Sequence, residues 1–238
     1  MKIGVMVESF RKGFREGVEE AAKLGVSGLQ AYMTPYGYMT AEDMSAARVR
    51  ETLDIVSSNG LEFSAICGDF GMGFDNEDNN RIYVDKSKRV LEKSKELGCN
   101  IVTTHIGEVP EAECEKKEIM RKACRSLAEY ADSMGSVFAV ETGTEKGSVL
   151  RDFLDSLGAG GVRVNFDPAN LVMVAGERPE NAVAALAPYI VHTHAKDGYK
   201  LDASLPKDAC FEVDGRMADH TALLGMGRSY IEVPLGEG

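Results

Sequence analysis

Seven short apolar runs, separated by six longer stretches with apolar residues every three or four positions, are what most restricts the folds open to this chain. The short runs are Lys2–Val7, Gly28–Met33, Glu62–Cys67, Asn100–His105, Val137–Glu141, Val162–Phe166 and Tyr189–Thr193. Their length and β-branched content read as buried strands. The longer stretches, Arg11–Leu24, Ala41–Ser58, Asn79–Leu97, Glu111–Met134, Ser148–Leu157 and Pro179–Ala187, read as helices. Most stop at a glycine that favours a left-handed helix end, as in Leu24-Gly25, Leu97-Gly98 and Met134-Gly135. Thr40 is the expected N-cap of the second helix, and Pro179 sits in a first turn, where its missing N–H costs nothing.

Strands alternating with helices imply a parallel sheet covered by helices. The first strand is not followed by Gly-x-Gly-x-x-Gly, so a (β/α)8 TIM barrel is expected rather than a dinucleotide-binding sheet. The 238 residues suit one barrel domain, 1–238. The tail is less regular. Tyr230–Leu235 is a candidate eighth strand, but no helix follows it, so the chain is expected to lack the final helix and eighth strand of a barrel. Such an open barrel exposes strand edges, and a homo-oligomer is expected on that ground.

Barrel enzymes carry their chemistry where strands end. Here those ends hold His105, Glu141, Asp167 and His194. His192 and His194, two apart, share one strand face. Glu141, Asp167 and His194 suit one divalent metal: Mn, Mg, Co or Zn. Such a site can polarise a carbonyl and stabilise an enediolate as a neighbouring proton leaves, with Glu141 as ligand and base and Lys196 or His105 steadying the oxyanion. Blander roles exist for each residue: an N-cap or ion pair for the carboxylates, a hydrogen-bonded core position for His192. His220, in a polar stretch, is expected to be solvated. Gly71-Met72-Gly73-Phe74 reads as an active-site loop or a plain turn, and Gly225-Met226-Gly227-Arg228 as a phosphate loop or a plain turn.

Composition excludes several partners. A net charge of −11 argues against nucleic acid, whose phosphates are held by Lys and Arg. The apolar runs are too short for a membrane span, and the first is too short for a signal peptide. Five cysteines without a Cys-x-x-Cys pair are expected to be free thiols in a cytoplasmic protein.

At Thr104-His105, Val140-Glu141-Thr142, Asn165-Phe166-Asp167-Pro168-Ala169-Asn170-Leu171, His192-Thr193-His194-Ala195-Lys196-Asp197 and Pro234-Leu235-Gly236-Glu237-Gly238, the chain resembles the xylose isomerase-like sugar phosphate isomerase/epimerase family. The resemblance implies that Glu141, Asp167 and His194 are metal ligands. It places His105 and Asn170 near metal or substrate, and Lys196 and Asp197 at the polar end of strand seven. The expected activity is isomerisation or epimerisation of a sugar or sugar phosphate, with catalysis by Glu141, His105 and Lys196. Substrate contacts are expected from Asn170, His192, Asp197 and Glu237. The family pattern adds, after the Pro-Leu-Gly-Glu-Gly loop, a strand ending in a glutamate that is fourth ligand and second acid/base group. Gly238 precedes that point, and Glu237 does not match it. An inosose-dehydratase-like lyase and a catalytically silent barrel that binds a sugar or a partner are the alternatives. The related endonuclease IV enzymes carry more histidines than the four present here, which reads against DNA repair.

Overall fold

All seven apolar runs become strands of one parallel sheet in the computed structural model, which describes residues 2–201, 210–213 and 216–238. They are β1 Gly4–Met6, β2 Gly28–Tyr32, β3 Glu62–Cys67, β4 Ile101–Thr104, β5 Val137–Glu141, β6 Val162–Phe166 and β7 Ile190–Thr193. Each pairs with the next in chain order, the pattern that right-handed crossovers through helices produce. The crossovers are α1 Phe14–Lys23, α2 Ala46–Ser58, α3 Glu77–Glu96, α4 Glu115–Ser133 and α5 Gly147–Asp155. Between β6 and β7 a single turn, α6 Pro168–Asn170, runs into a π turn at Leu171–Ala175 and then α7 Pro179–Leu186.

The second and third helices start where capping chemistry, rather than apolar spacing, sets them. The second helix begins at Ala46 rather than Ala41, because Ser45 Oγ accepts the Arg48 N–H while Thr40 bonds Asp43 instead. Asn76 caps α3 through the N–H groups of Asp78 and Asn79, so the helix begins at Glu77, two residues before the expected Asn79. The fourth helix starts at Glu115, four residues after the predicted Glu111.

The sheet curls, and its inner face and helix-facing side are filled by Leu29, Val102, Phe138, Val140 and Val164, all fully buried. Phe74, from the Gly71–Phe74 loop, packs edge-on against Phe138 at 6.2 Å. The curl is tight enough that His194 Nε2, just past β7, lies 3.2 Å from Gln30 Oε1 on β2. The seven strands thus form a curled partial barrel, with no eighth barrel strand and no closing helix among the described residues. A cavity of about 760 Å³ opens between β1 and β7, the two sheet edges on which the expectation of self-association rests.

After β7 the chain builds a small antiparallel annex: β8 Asp197–Lys200, β9 Cys210–Val213, β10 Arg216–Asp219, α8 His220–Gly225 and β11 Tyr230–Val233. The run predicted as an eighth strand is therefore not in the barrel. It pairs antiparallel with β8, because Ile231 buries against Leu201 and Leu223 in a separate apolar cluster. His220 is buried under the same annex as the first residue of α8, not solvated as its polar neighbours suggest. Gly225-Met226-Gly227 forms the turn that ends α8. No helix among the described residues is long and apolar enough to cross a membrane.

Candidate functional site

The C-terminal ends of β5, β6 and β7 carry the acid and imidazole groups to one place. Glu141 is the last residue of β5, Asp167 follows β6 directly, and His194 follows β7. Parallel neighbours end at the same rim, so these three side chains converge with ligand atoms all within 4.8 Å of one another. Asp167 is fully buried and has two duties. Its Oδ1 caps α6 by accepting the Asn170 N–H at 3.0 Å, while Thr142 Oγ1 accepts its backbone N–H and donates to its carbonyl. Its Oδ2 accepts no well-directed hydrogen bond, although Lys196 Nζ stands 3.2 Å away and His194 Nδ1 3.7 Å.

Both oxygens of Glu141 are positioned. Asn170 Nδ2 donates to Oε1 at 2.8 Å and Asn165 Nδ2 to Oε2 at 3.3 Å. This needs Gly143, with φ of 130° on the loop after β5, because a Cβ there would fall 2.1 Å from Asn170 Cβ. On the far side His105 Nε2 lies 3.6 Å from Glu141 Oε1, and its Nδ1 is 2.9 Å from Asp69 Oδ2. Lys196 donates to Asn170 Oδ1 at 2.7 Å and pairs with Glu232 Oε1 at 3.4 Å.

Charge follows from these contacts. Hydrogen bonds to Asp69 and Glu141 lift His105 to about 10 against its burial. Burial works against charge on His194, yet Asp167 and Glu141 raise it to about 9. Burial likewise opposes the Lys196 ammonium, and the carboxylates of Asp167, Glu232 and Glu141 together outweigh it, so this side chain stays charged. Burial alone would raise Glu141, but His105 and His194 hold it well below the usual carboxylate range. His192 goes the other way: burial and the nearby His194 charge push it down to about 4, so it is neutral.

Of the residues singled out from sequence, Glu141, Asp167, His194, His105, Asn170 and Lys196 meet in one cluster. His192 joins it indirectly: its ring lies edge-on to His194 at 5.7 Å, with Nδ1 2.9 Å from Asn165 Oδ1. Asp197 faces the tail instead, accepting the N–H groups of Gly198, Gly236 and Gly238. Glu237 is exposed, and its carbonyl accepts the Tyr199 hydroxyl.

Sequence reading missed four contributors: Gln30, Asp69, Asn165 and Glu232. Asp69 follows an apolar strand by the same rule that found Glu141. Gln30 and Asn165 are polar residues inside apolar strands, a signal that costs free energy unless the group is satisfied. Asn165, fully buried, bridges Glu141 and both histidines. Glu232 carries no such signal, because only the antiparallel pairing of β11 with β8 brings it in.

The donor set suits a hard divalent cation. Two carboxylates and one imidazole are the oxygen and nitrogen ligands such ions take, and the unbonded Asp167 Oδ2 leaves an acceptor free for one. Loss of the His194 proton would supply the third ligand atom.

Residues 18–236 match the xylose isomerase-like TIM barrel family. The chain belongs to that family. Solved structures similar to this xylose isomerase-like barrel share its fold at low identity. A xylose isomerase domain protein from Planctomyces limnophilus is 22% identical with a TM-score of 0.76, covering 99% of this chain and 81% of its own. The probable 3-DHS dehydratase AsbF from Bacillus anthracis is 18% identical with a TM-score of 0.70, covering 100% and 85%. D-psicose 3-epimerase from Clostridium cellulolyticum H10 is 15% identical with a TM-score of 0.66, covering 82% and 72%. Among curated proteins no sequence match is found.

Proposed function

We propose that this chain is a divalent-cation-dependent isomerase or epimerase that removes a proton next to a carbonyl of a sugar or sugar phosphate. The convergence of Glu141, Asp167 and His194 at one rim supports this reading more than any other observation. A divalent cation held by these three residues would supply positive charge to neighbouring oxygens of a ketose. The remaining work falls to the side chains around it. His105, held by Asp69 and charged, presents a proton-bearing imidazolium beside Glu141, suited to steady an oxyanion and to return a proton. Lys196, fixed by Asn170, adds a second fixed positive charge.

Glu141 is a weak base while both neighbouring rings are charged. Loss of the His194 proton removes one of the two charges that hold its basicity down.

The test is solvent deuterium exchange, followed by NMR, into a panel of ketoses, ketose phosphates and polyols with Mn²⁺, Mg²⁺, Co²⁺ or Zn²⁺. Exchange at the carbon beside a carbonyl, abolished by Glu141→Gln, is the expected result. Turnover that survives Glu141→Gln on a confirmed substrate refutes the mechanism. Loss of water in place of exchange points to a lyase.

A further inference from the structure

Lys196 stands between two carboxylates of different origin. Asp167 Oδ2, on the barrel, is 3.2 Å from Nζ, and Glu232 Oε1, on the annex, is 3.4 Å away on β11. Asn170 Oδ1 accepts from the same ammonium at 2.7 Å, and the Asn170 amide reaches on to Glu141 Oε1. A continuous row thus runs Glu141, Asn170, Lys196, Glu232 along one side of the rim. The annex is built to place its end of that row. Glu232 pairs in register with Gly198, two residues beyond Lys196. A Cβ at Gly198 would lie 2.6 Å from the Ile231 carbonyl and 2.5 Å from Met173 Sδ, so glycine lets β11 come this close. Three tail contacts hold the pairing: Gly236 and Gly238 N–H to Asp197, and the Tyr199 hydroxyl to the Glu237 carbonyl.

We propose that Glu232 is a positioning residue for Lys196, sharing its ammonium with Asp167 and so keeping Asp167 Oδ2 available to a cation. The Lys196 ammonium and the cation proposed above compete for the same lone pairs of Asp167 Oδ2. An ammonium with Asp167 as its sole anionic partner would neutralise that carboxylate. With Glu232 on its other side, the ammonium has a second anion at nearly equal distance. The cation-affinity part of this inference rests on the proposed metal role; the placement of Lys196 by Glu232 does not.

Two measurements on the full chain test it. The first is the Mn²⁺ dissociation constant of wild type, Glu232→Gln, Lys196→Met and the double variant, by titration calorimetry. Glu232→Gln weakens Mn²⁺ binding by about two- to fivefold, the range for an ion pair with one exposed partner, and the effect vanishes in the Lys196→Met background. An equal loss in both backgrounds, or none in either, overturns the coupling. The second is metal-free: reductive methylation of Lys196, read by peptide mass spectrometry. Lys196 labels faster in Glu232→Gln than in wild type, and Glu232→Asp restores the slow rate. Unchanged labelling overturns the positioning role. If wild type binds no Mn²⁺ at all, the metal reading fails, and the labelling result alone decides the role of Glu232.

Discussion

Gly143→Ala probes the link between backbone geometry and the site. Gly143 has φ of 130°, a conformation that costs an L-residue roughly 1–3 kcal/mol. Its added Cβ would also stand 2.1 Å from Asn170 Cβ and 2.9 Å from the Asn170 carbonyl carbon. Overpacking against such a neighbour costs about 1–3 kcal/mol once the structure shifts. Together the loss is roughly 2–6 kcal/mol, and at 2–4 °C per kcal/mol for a domain of this size the melting midpoint falls by roughly 5–20 °C. Relief comes by moving Asn170, whose amide holds Glu141 Oε1 and Lys196, so Mn²⁺ affinity falls as well. Gly25→Ala is the control: φ is 73° and nothing lies within 4 Å of the new Cβ, so only the backbone term, about 1–2 kcal/mol, remains. Urea unfolding followed by circular dichroism measures both. A Gly143→Ala loss no larger than that of Gly25→Ala, with Mn²⁺ affinity unchanged, refutes the steric argument.

Three further outcomes are expected. Asp167→Asn keeps an oxygen for the Asn170 N–H cap but loses the charge, and Mn²⁺ affinity drops at least about 100-fold, beyond what loss of an outer-shell partner usually costs; titration calorimetry reads it, and a smaller loss argues against Asp167 as a ligand. Glu145 is buried between the loops after β4 and β5, accepting the Val109 N–H, and burial raises its carboxyl above the ordinary value. A raised acid favours folding below its unfolded value and loses that contribution as pH rises through the folded one, so Glu145→Gln melts higher than wild type at pH 8 and the gap closes towards pH 4; a gap that widens on acidification contradicts this. Thiol titration in the native state counts the exposed Cys114 and Cys210, while Cys67, Cys99 and Cys124 react only after unfolding, the buried Cys67 and Cys124 thiols being pushed up to about 12; rapid labelling of Cys124 in the native protein would contradict its placement.

The elements were legible because their causes are local. Apolar spacing, the left-handed glycines after helices and proline in a first turn act over a few residues, and these placed the seven barrel strands. The convergence of Glu141, Asp167 and His194 was legible too, since each ends a strand and parallel neighbours end together. The second and third helix starts were misplaced because a side chain, Ser45 or Asn76, bonds a backbone N–H within three residues, against the apolar pattern.

Local chemistry along the chain thus sets the series of strands and the identity of the groups at their ends. Which distant groups complete the site depends on how the elements pack. His194 meets Gln30 across 164 positions because the sheet curls, and the sum of seven strand twists has no local signature. His220 is buried, and β11 leaves the barrel, because Leu201, Leu223 and Ile231 find one another in a separate apolar cluster. That choice of partner brings Glu232 to Lys196. It depends on how much apolar surface each competing arrangement removes from water, a quantity set by the whole folded chain rather than by any stretch of it.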